Sequence, residues 1–191
     1  MTEPKERMPP IDPDKMDESQ RAAAAELIAG PRKAVIGPFI ALLRSPRLMQ
    51  PLQKVGEYLR FESELAPALR ELATLIVARR WTQQFEWCAH VPLALRAGIS
   101  RQTIDSLREG RRPPILKRDE QVVFEFATEL LDHHGVSDST YAACKSELGE
   151  RSLIDLVGLL GYFAAVSMVL NVARTPAGAA EGVEPLPPLP R

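Results

Sequence analysis

Cysteine is scarce in this sequence, which has two cysteines among its 191 residues. Cys88 and Cys144 are far apart, and neither belongs to a Cys-x-x-Cys pair. Two isolated thiols exclude a disulfide framework and provide no dithiol redox motif. A reducing, cytoplasmic location is therefore the expectation.

An excess of charge of either sign is also missing. The chain has 24 Lys plus Arg against 25 Asp plus Glu, a net charge of −1. Nothing therefore predicts a broad attraction to nucleic acid or to an anionic membrane. One local basic cluster is interpreted as a solvated loop: Arg111, Arg112, Lys117 and Arg118. The polar, proline-rich start, MTEPKERMPPIDPDK, lacks an apolar stretch of the secretory kind, so no secretory signal is expected.

Signals for β-structure are absent as well, because no run alternates with period two and no hairpin turn is evident. Apolar residues instead recur at helical spacing between capping residues, prolines and glycines, which predicts an all-α fold. Helices are expected to begin near Ser19, Pro38, Pro46, Pro67, Thr82, Ser100, Lys117, Ser137 and Arg151.

Three regions are expected along the chain. Residues 19–174 have the length and composition of a single helical domain. Residues 1–18 are charged and proline-rich and are predicted to be disordered. The proline-rich tail, residues 175–191, is predicted to be extended, either free or strapped across a neighbouring subunit.

One long apolar stretch, Leu153–Val172, approaches the length of a bilayer span. Three polar residues interrupt it: Asp155, Ser167 and Asn171. We therefore expect it to lie at the centre of a bundle or an oligomer, with a membrane span as the minor alternative. Gly158 and Gly161 would allow close helix approach, so a homo-oligomer is predicted.

Against these absences, the stretch QQFEWCAH at residues 83–90 is rich in polar and reactive groups. Four of its side chains would share an arc of roughly 100° on a helix: Gln83, Glu86, Trp87 and His90. Cys88 would lie on another side. An imidazole that titrates near neutrality, with a carboxylate one turn away, predicts a general acid/base site. The amide would hold a substrate oxygen and the indole would form an apolar wall.

Each of these residues also has an ordinary structural interpretation, and at this point the alternatives stay open. A Glu86–His90 pair four residues apart is often a solvent-exposed helix contact, and Trp87 alone more often packs in a core. Glu71, a second candidate among apolar neighbours in LRELATLIV, could be a boundary residue paired with a nearby arginine.

No metal or cofactor is expected. Helical di-metal sites use Glu-x-x-His pairs, and none is evident in this chain. His133 and His134 would point about 100° apart and are interpreted as complements to a helix dipole. A nucleophilic Cys88–His90 pair is disfavoured, since residues two apart on a helix do not face each other. Cys144 is predicted to be an ordinary buried thiol.

Residues 70–100, RELATLIVARRWTQQFEWCAHVPLALRAGIS, resemble the signature of the carboxymuconolactone decarboxylase family, which shares its fold with the alkylhydroperoxidase AhpD. The pattern is R-E-L-x-x-L, then E-W-x-x-H, then A-G-[IL]-S, and LVGLLGYFAAVSMVLNV looks like the closing helix of longer members. The resemblance covers roughly residues 35–173. It implies an AhpD-like helical bundle that assembles into dimers, trimers or hexamers.

The resemblance also implies roles for particular residues. In the peroxidase branch a glutamate precedes a Cys-x-x-Cys pair and a histidine; Glu71 and His90 match the first and last of these. Gln83 and Glu86 occupy the two cysteine positions, which cannot support turnover through a disulfide. The decarboxylase branch lacks that cysteine pair. By resemblance, His90 donates the proton, Glu86 orients it, and Glu71 completes a relay or positions the substrate. Gln83 would stabilise developing negative charge.

The resulting prediction is a cofactor-free lyase that acts on a small carboxylated lactone or a related enolisable acid. Two alternatives are kept. The first is an antioxidant protein of the alkylhydroperoxidase type, which would depend on Cys88. The second is a non-enzymatic helical oligomer, in which His90 and Glu86 would be exposed with no cavity beside them.

Overall fold

The computed structural model describes residues 5–178 and 180–188. Within these ranges the chain forms eight α-helices, one short 3₁₀ helix at Pro13–Lys15 and no β-strand, which confirms the all-α prediction. The helices are α1 (Glu18–Ala29), α2 (Pro38–Leu42), α3 (Pro46–Phe61), α4 (Pro67–Arg80), α5 (Gln84–Arg96), α6 (Arg101–Arg108), α7 (Arg118–His133) and α8 (Asp138–Ala173).

Helix α4 lies at the centre of the fold and packs against α5, α7 and α8. Its side chains are buried on nearly every side, and Leu72, Leu75 and Val77 have no exposed surface. Burying one such aliphatic side chain stabilises the fold by about 1.5–3 kcal/mol. The polar residues of α4 are consequently held inside the protein with little freedom to move.

Two helix starts differ from the sequence-based prediction. The cap of α1 is Asp17 rather than Ser19, because Asp17 and Gln20 bond to each other's backbone N–H groups in a capping box. The cap of α5 is Gln83 rather than Thr82. Thr82 instead has a φ of 46° and turns the chain sharply between α4 and α5.

A kink divides helix α8 into two helical parts, which agrees with the two helices that the sequence predicts here. The kink is at Gly149, whose φ of 80° lies in the left-handed region that favours glycine. The C-terminal arm packs its buried side against α4 and neighbouring helices. Its other side exposes Ile154, Val157, Met168 and Val172. Association of copies through this apolar side stays a prediction, which sedimentation can check.

Helix α8 is also the one described helix that is long and apolar enough to cross a membrane, judged on length and composition alone. In the structure, 56% of its most apolar window is buried by the rest of the chain. The core helix of a globular protein meets the same criterion. The packing thus supports the interpretation of α8 as a bundle helix.

Part of the segment before α1, which the sequence predicts to be disordered over residues 1–18, contacts the rest of the chain in this structure. The N–H of Arg7 donates to a carbonyl oxygen at the end of α8 over 2.8 Å. Ile11 and Met16 pack against the smaller of two hydrophobic clusters, formed mainly by α1, α2 and α3. Backbone pairing and apolar contacts therefore order this segment, and residues 1–4 lie outside the described residues.

The proline-rich tail forms no helix or strand in its described residues. Residues 183–188, called the strap below, lie across α4, α5 and α6 of the same chain. Leu186 is 4% exposed and belongs to the main hydrophobic cluster. Gln84 donates to the Leu186 carbonyl over 2.8 Å and accepts from its N–H over 2.9 Å. The strap therefore packs against its own chain in this structure.

Candidate functional site

Two carboxylates flank a buried imidazole where α4 meets α5. His90 Nδ1 lies 2.6 Å from Glu71 Oε2, and His90 Nε2 lies 3.2 Å from Glu86 Oε2. Glu71 is 7% exposed, and Glu86 and His90 are each 4% exposed. Both ring nitrogens therefore have an acidic partner, and all three side chains are almost fully buried.

Local structure explains how these three side chains meet. Glu86 and His90 are one helical turn apart on α5 and lie on the same side of it. The sharp turn at Thr82 folds α5 back along α4, and the two helices pack closely over their lengths. Glu71, on the first half of α4, is thus brought against the imidazole from the opposite direction.

The surroundings of His90 favour its charged form. Burial acts to lower its pKa, but the hydrogen bonds that the ring donates to Glu71 and Glu86, with the charges of these carboxylates, outweigh that effect and raise the pKa to about 9. At neutral pH the ring is consequently an imidazolium that carries a proton on each nitrogen. A buried, charged acid between two bases is able to store a proton and release it.

A cavity of about 410 Å³ lies beside the imidazole, and Glu86 and His90 line it. The structure does not place Glu71 on the cavity wall, so Glu71 sits behind the ring. Phe163 meets the imidazole edge-on, with ring centroids 5.1 Å apart and planes at 87°. The size and the largely apolar walls of the cavity suit one small organic molecule.

Three polar residues of the cavity wall were missed by reasoning from the sequence: Arg32, Arg60 and Tyr162. Arg32 lies in the loop between α1 and α2, and Arg60 lies at the end of α3. Tyr162 is in the long apolar stretch of α8, where a tyrosine resembles an ordinary core residue. No local motif marks any of them, because only the packing of distant segments brings them together.

Gln83 bonds to other parts of the protein through its side-chain amide. Its side-chain oxygen accepts the N–H of Glu86 over 3.0 Å, and its amide nitrogen donates to Asn171 over 3.2 Å. Both ends of the amide are therefore used to cap α5 and join it to α8. In this structure Gln83 therefore has a structural role, and its predicted contact with a substrate stays a prediction.

Trp87 is also placed away from the cavity. It has no exposed surface, and its indole N–H donates to the carbonyl oxygen of Glu184 in the strap over 3.0 Å. The tryptophan does share the inward side of α5 with His90, but it faces α6 and the strap. Trp87 therefore does not line the cavity beside His90, and its predicted role as a wall for the substrate stays a prediction.

Neither cysteine lies on the cavity wall. Cys88 is half-buried, and burial raises the pKa of its thiol. Cys144 is buried, as predicted, and burial raises its pKa to about 11. A raised pKa keeps a thiol protonated and poorly nucleophilic, which is the opposite of what peroxide reduction requires.

Metal ligation finds no support in the described part of the chain. No group of three or more His, Cys, Asp or Glu side chains there is arranged to hold a metal ion. The Glu71–His90–Glu86 arrangement joins its members to one another through both ring nitrogens. The groups that would ligate a cation are therefore already paired.

One protein-family model matches part of the chain. Residues 46–129 match the model of the carboxymuconolactone decarboxylase family. The match spans α3 to α6 and most of α7, so it includes Glu71, Glu86 and His90. It confirms the family resemblance drawn from the sequence motif. No curated protein sequence matches the chain.

Solved structures of three bacterial proteins share the fold. A peroxidase-related protein from Silicibacter sp. TM1040 is 17% identical, with a TM-score of 0.72, covering 94% of this chain and 96% of its own. A peroxidase-related protein from Ralstonia eutropha JMP134, described as an alkylhydroperoxidase AhpD core, is 14% identical, with a TM-score of 0.72, covering 93% and 94%. A protein of unknown function from Agrobacterium tumefaciens, named as a candidate antioxidant defence protein AhpD, is 14% identical, with a TM-score of 0.64, covering 72% and 95%. At these identities the likeness establishes the AhpD-like fold and nothing finer.

Proposed function

Starting from a carboxymuconolactone decarboxylase family region on an AhpD-like fold, we propose that this protein is a cofactor-free, decarboxylase-like enzyme. Its substrate is a small carboxylated lactone or a related enolisable acid. The observation that carries the proposal is the His90 imidazole, held between two carboxylates at the wall of a largely apolar cavity. That arrangement supplies a proton in a place where little water competes for it.

The reaction needs one proton and no redox partner. The bond between the substrate carbon and its carboxylate breaks, carbon dioxide leaves, and the bonding electrons remain on the substrate as an enolate. The enolate carbon then takes a proton from the protein. Water returns a proton to the site, which balances the cycle. Low-dielectric walls favour the first step, because a carboxylate loses more hydration than its charge-delocalised enolate.

The geometry supports a division of labour that differs from the one implied by resemblance. Glu86 lines the cavity and touches His90 Nε2, so we assign it the transfer of the proton between the ring and the substrate. Glu71 contacts Nδ1 from behind, so we assign it the orientation of the ring and the stabilisation of its charge. His90 remains the group that stores the proton.

The two alternatives fit the observations less well. A peroxidase of the kind named for the structural relatives would need a reactive thiol, but Cys88 lies off the cavity and its pKa is raised. A purely structural oligomer would leave His90 exposed, whereas the ring is 4% exposed and lies beside a cavity. Proton-transfer chemistry is the function that these features support best.

The test follows proton transfer directly and does not require the natural substrate. Purified protein is incubated in D₂O with a panel of carboxylated lactones and enolisable acids, and deuterium incorporation and carbon dioxide release are measured. We expect exchange or decarboxylation with at least one compound, and its loss in His90→Asn. Cys88→Ser is the control and should retain the activity. A His90→Asn variant that is folded and as active as the parent would contradict the proposal.

A further inference from the structure

Two arginines on the cavity wall form no salt bridge within the described residues. Arg32 and Arg60 both line the cavity, and Glu57 and Glu86 act on the charge of Arg32 only from beyond contact distance. Surface arginines elsewhere do pair, as Arg112 does with Glu125 over 2.7 Å. A partly buried guanidinium group beside a largely apolar cavity is costly without a counter-charge at contact distance.

Tyr162 places a hydroxyl donor next to one of these arginines. The side chain is 6% exposed, and its oxygen accepts a hydrogen bond from Arg32 Nη2 over 3.3 Å. Burial raises the pKa of the phenol, so the hydroxyl keeps its proton. The described residues provide no acceptor for that proton, which leaves it available to a molecule in the cavity.

The packing around this pair leaves room for both side chains. A side-chain carbon at Gly56 would lie 2.7 Å from Arg32 Nη2 and would overlap the Tyr162 hydroxyl. The absence of a side chain at this position in α3 thus permits the arrangement. The Arg32 guanidinium also lies over the Phe39 ring, 4.6 Å from its centroid, which fixes its plane.

One nitrogen of Arg32 is left without a partner. Its Nε is buried and forms no hydrogen bond in the described chain. On an arginine, Nε and Nη2 lie on one edge, and that edge matches the two oxygens of a carboxylate. A buried donor without an acceptor costs about 1–3 kcal/mol, a cost that a bound carboxylate would offset.

The charges around the cavity agree with an anionic ligand. The two carboxylates of Glu71 and Glu86 are opposed by the His90 imidazolium and by the two arginines. The cavity and its adjoining residues therefore carry one net positive charge. A ligand with one carboxylate would bring this balance to zero.

We propose that Arg32, Tyr162 and Arg60 form an anchoring subsite for a substrate carboxylate that stays intact during the reaction. An arginine fork stabilises a carboxylate relative to neutral carbon dioxide, so it would slow the loss of the group that it holds. The anchored group and the reacting carbon are therefore different parts of the substrate. If the reaction is a decarboxylation, as the proposed function on which this inference rests implies, the substrate carries two carboxylates.

With this subsite, recognition of the substrate would depend on segments outside the family match. Arg32 and Tyr162 both lie outside residues 46–129, whereas Glu71, Glu86 and His90 all lie within them. The matched segment would thus supply the proton chemistry. The α1–α2 loop and α8 would supply recognition of the acid.

Binding of benzoate and of its neutral analogue benzamide, measured by isothermal titration calorimetry, tests the subsite without any turnover. A charged, forked interaction worth about 1.5–3 kcal/mol corresponds to about 10–100-fold tighter binding of benzoate. We expect this preference in the parent protein and its loss in Arg32→Leu. Arg32→Lys keeps the charge and removes the fork, so the preference should fall to a fraction of its parent value. Arg47→Leu, at an exposed arginine off the cavity, should keep the full preference.

Equal binding of benzoate and benzamide by the parent would overturn the inference, and so would an unchanged preference in a folded Arg32→Leu variant. Loss of the preference in Arg47→Leu would overturn it too, because general charge would then explain the binding. The result is separate from the proposed function. A parent protein that exchanges no deuterium can still show the benzoate preference, and one that exchanges deuterium can lack it.

Discussion

The two inward sides of α5 offer a comparison within one helix. His90 and Trp87 are three residues apart, and both are buried, at 4% and 0% exposed. His90 meets two carboxylates and a cavity, whereas Trp87 meets the strap and the hydrophobic core. One side of the helix carries the proposed proton-transfer site, and the other packs against the rest of the fold.

The difference shows that the neighbours of a helix decide the use of its buried side chains. Glu86 and Trp87 are adjacent residues and point about 100° apart, so they face different elements although both face inward. On the cavity side, His90 and Glu86 pair with each other and also line the cavity, where a ligand could contact them. On the strap side, the indole N–H of Trp87 donates a hydrogen bond to the backbone carbonyl oxygen of Glu184. Substitutions on the two sides should therefore separate activity from stability.

The largest expected effect is on activity, from Glu86→Gln on the cavity side. This change keeps the size of the side chain and removes its ability to accept and pass a proton. Loss of one general acid/base group costs about 10²–10⁴-fold in rate, measured as deuterium exchange or carbon dioxide release. Trp87→Phe, on the strap side, is the matched control and should stay within a few-fold of the parent. Equal losses of activity in Glu86→Gln and Trp87→Phe would contradict the assignment of proton transfer to the cavity side alone.

The next effect is on stability, from Trp87→Ala. Removing a fully buried indole leaves a cavity in the core, which costs about 3–5 kcal/mol in the free energy of unfolding. Trp87→Phe should cost less, because it loses mainly the hydrogen bond to Glu184 and part of the buried ring. Urea unfolding of both variants measures the difference. A loss below about 1 kcal/mol for Trp87→Ala would mean that the strap side does not hold the fold together.

A third prediction concerns pH and the cavity side alone. The pKa of His90 is raised from 6.5 to about 9 in the folded protein, so folding favours the protonated ring. Its contribution is fully present below pH 6.5 and is lost as the pH rises through about 9. The free energy of unfolding should fall by roughly 3 kcal/mol over that window. In His90→Gln this fall should be absent, and a parent protein of constant stability over the window would disagree with the site as described.

The smallest effect is expected at Cys88, which faces neither side. Cys88→Ser should change proton-transfer activity by less than about twofold and stability by roughly 1 kcal/mol or less. Hydroperoxide consumption, assayed in parallel, should be equally low in parent and variant. Consumption that is present in the parent and disappears in Cys88→Ser would favour the peroxidase alternative.

Reasoning from the sequence was most successful where the information is local. Helical spacing placed Glu86 and His90 in contact, and the 3.2 Å separation of Oε2 and Nε2 agrees with it. Glu71 was an ambiguous residue on spacing alone, and only the family resemblance linked it to His90. The all-α fold followed from the periodicity of apolar residues and from the absence of strand signals.

The rest of the site depends on contacts between distant segments, which no local pattern encodes. Gln83 and Trp87 lie on the same inward arc as His90, but they bind structural partners. Gln83 donates a hydrogen bond to Asn171, and Trp87 donates one to the strap. Arg32 reaches the cavity from a loop, and it meets Tyr162 far along the chain. A helical projection identifies which side chains face inward and cannot identify what packs against them.

The central claim is that His90 is a buried imidazolium shared by two carboxylates, and an NMR titration of its ring tests this most directly. The His90 signals are assigned by their absence in His90→Gln and followed from pH 5 to pH 10. The site predicts a pKa of about 9 and a clear decrease in Glu71→Gln, which removes one of the two charged partners. A His90 ring that titrates at or below 6.5, and that is unaffected by Glu71→Gln, would contradict the account.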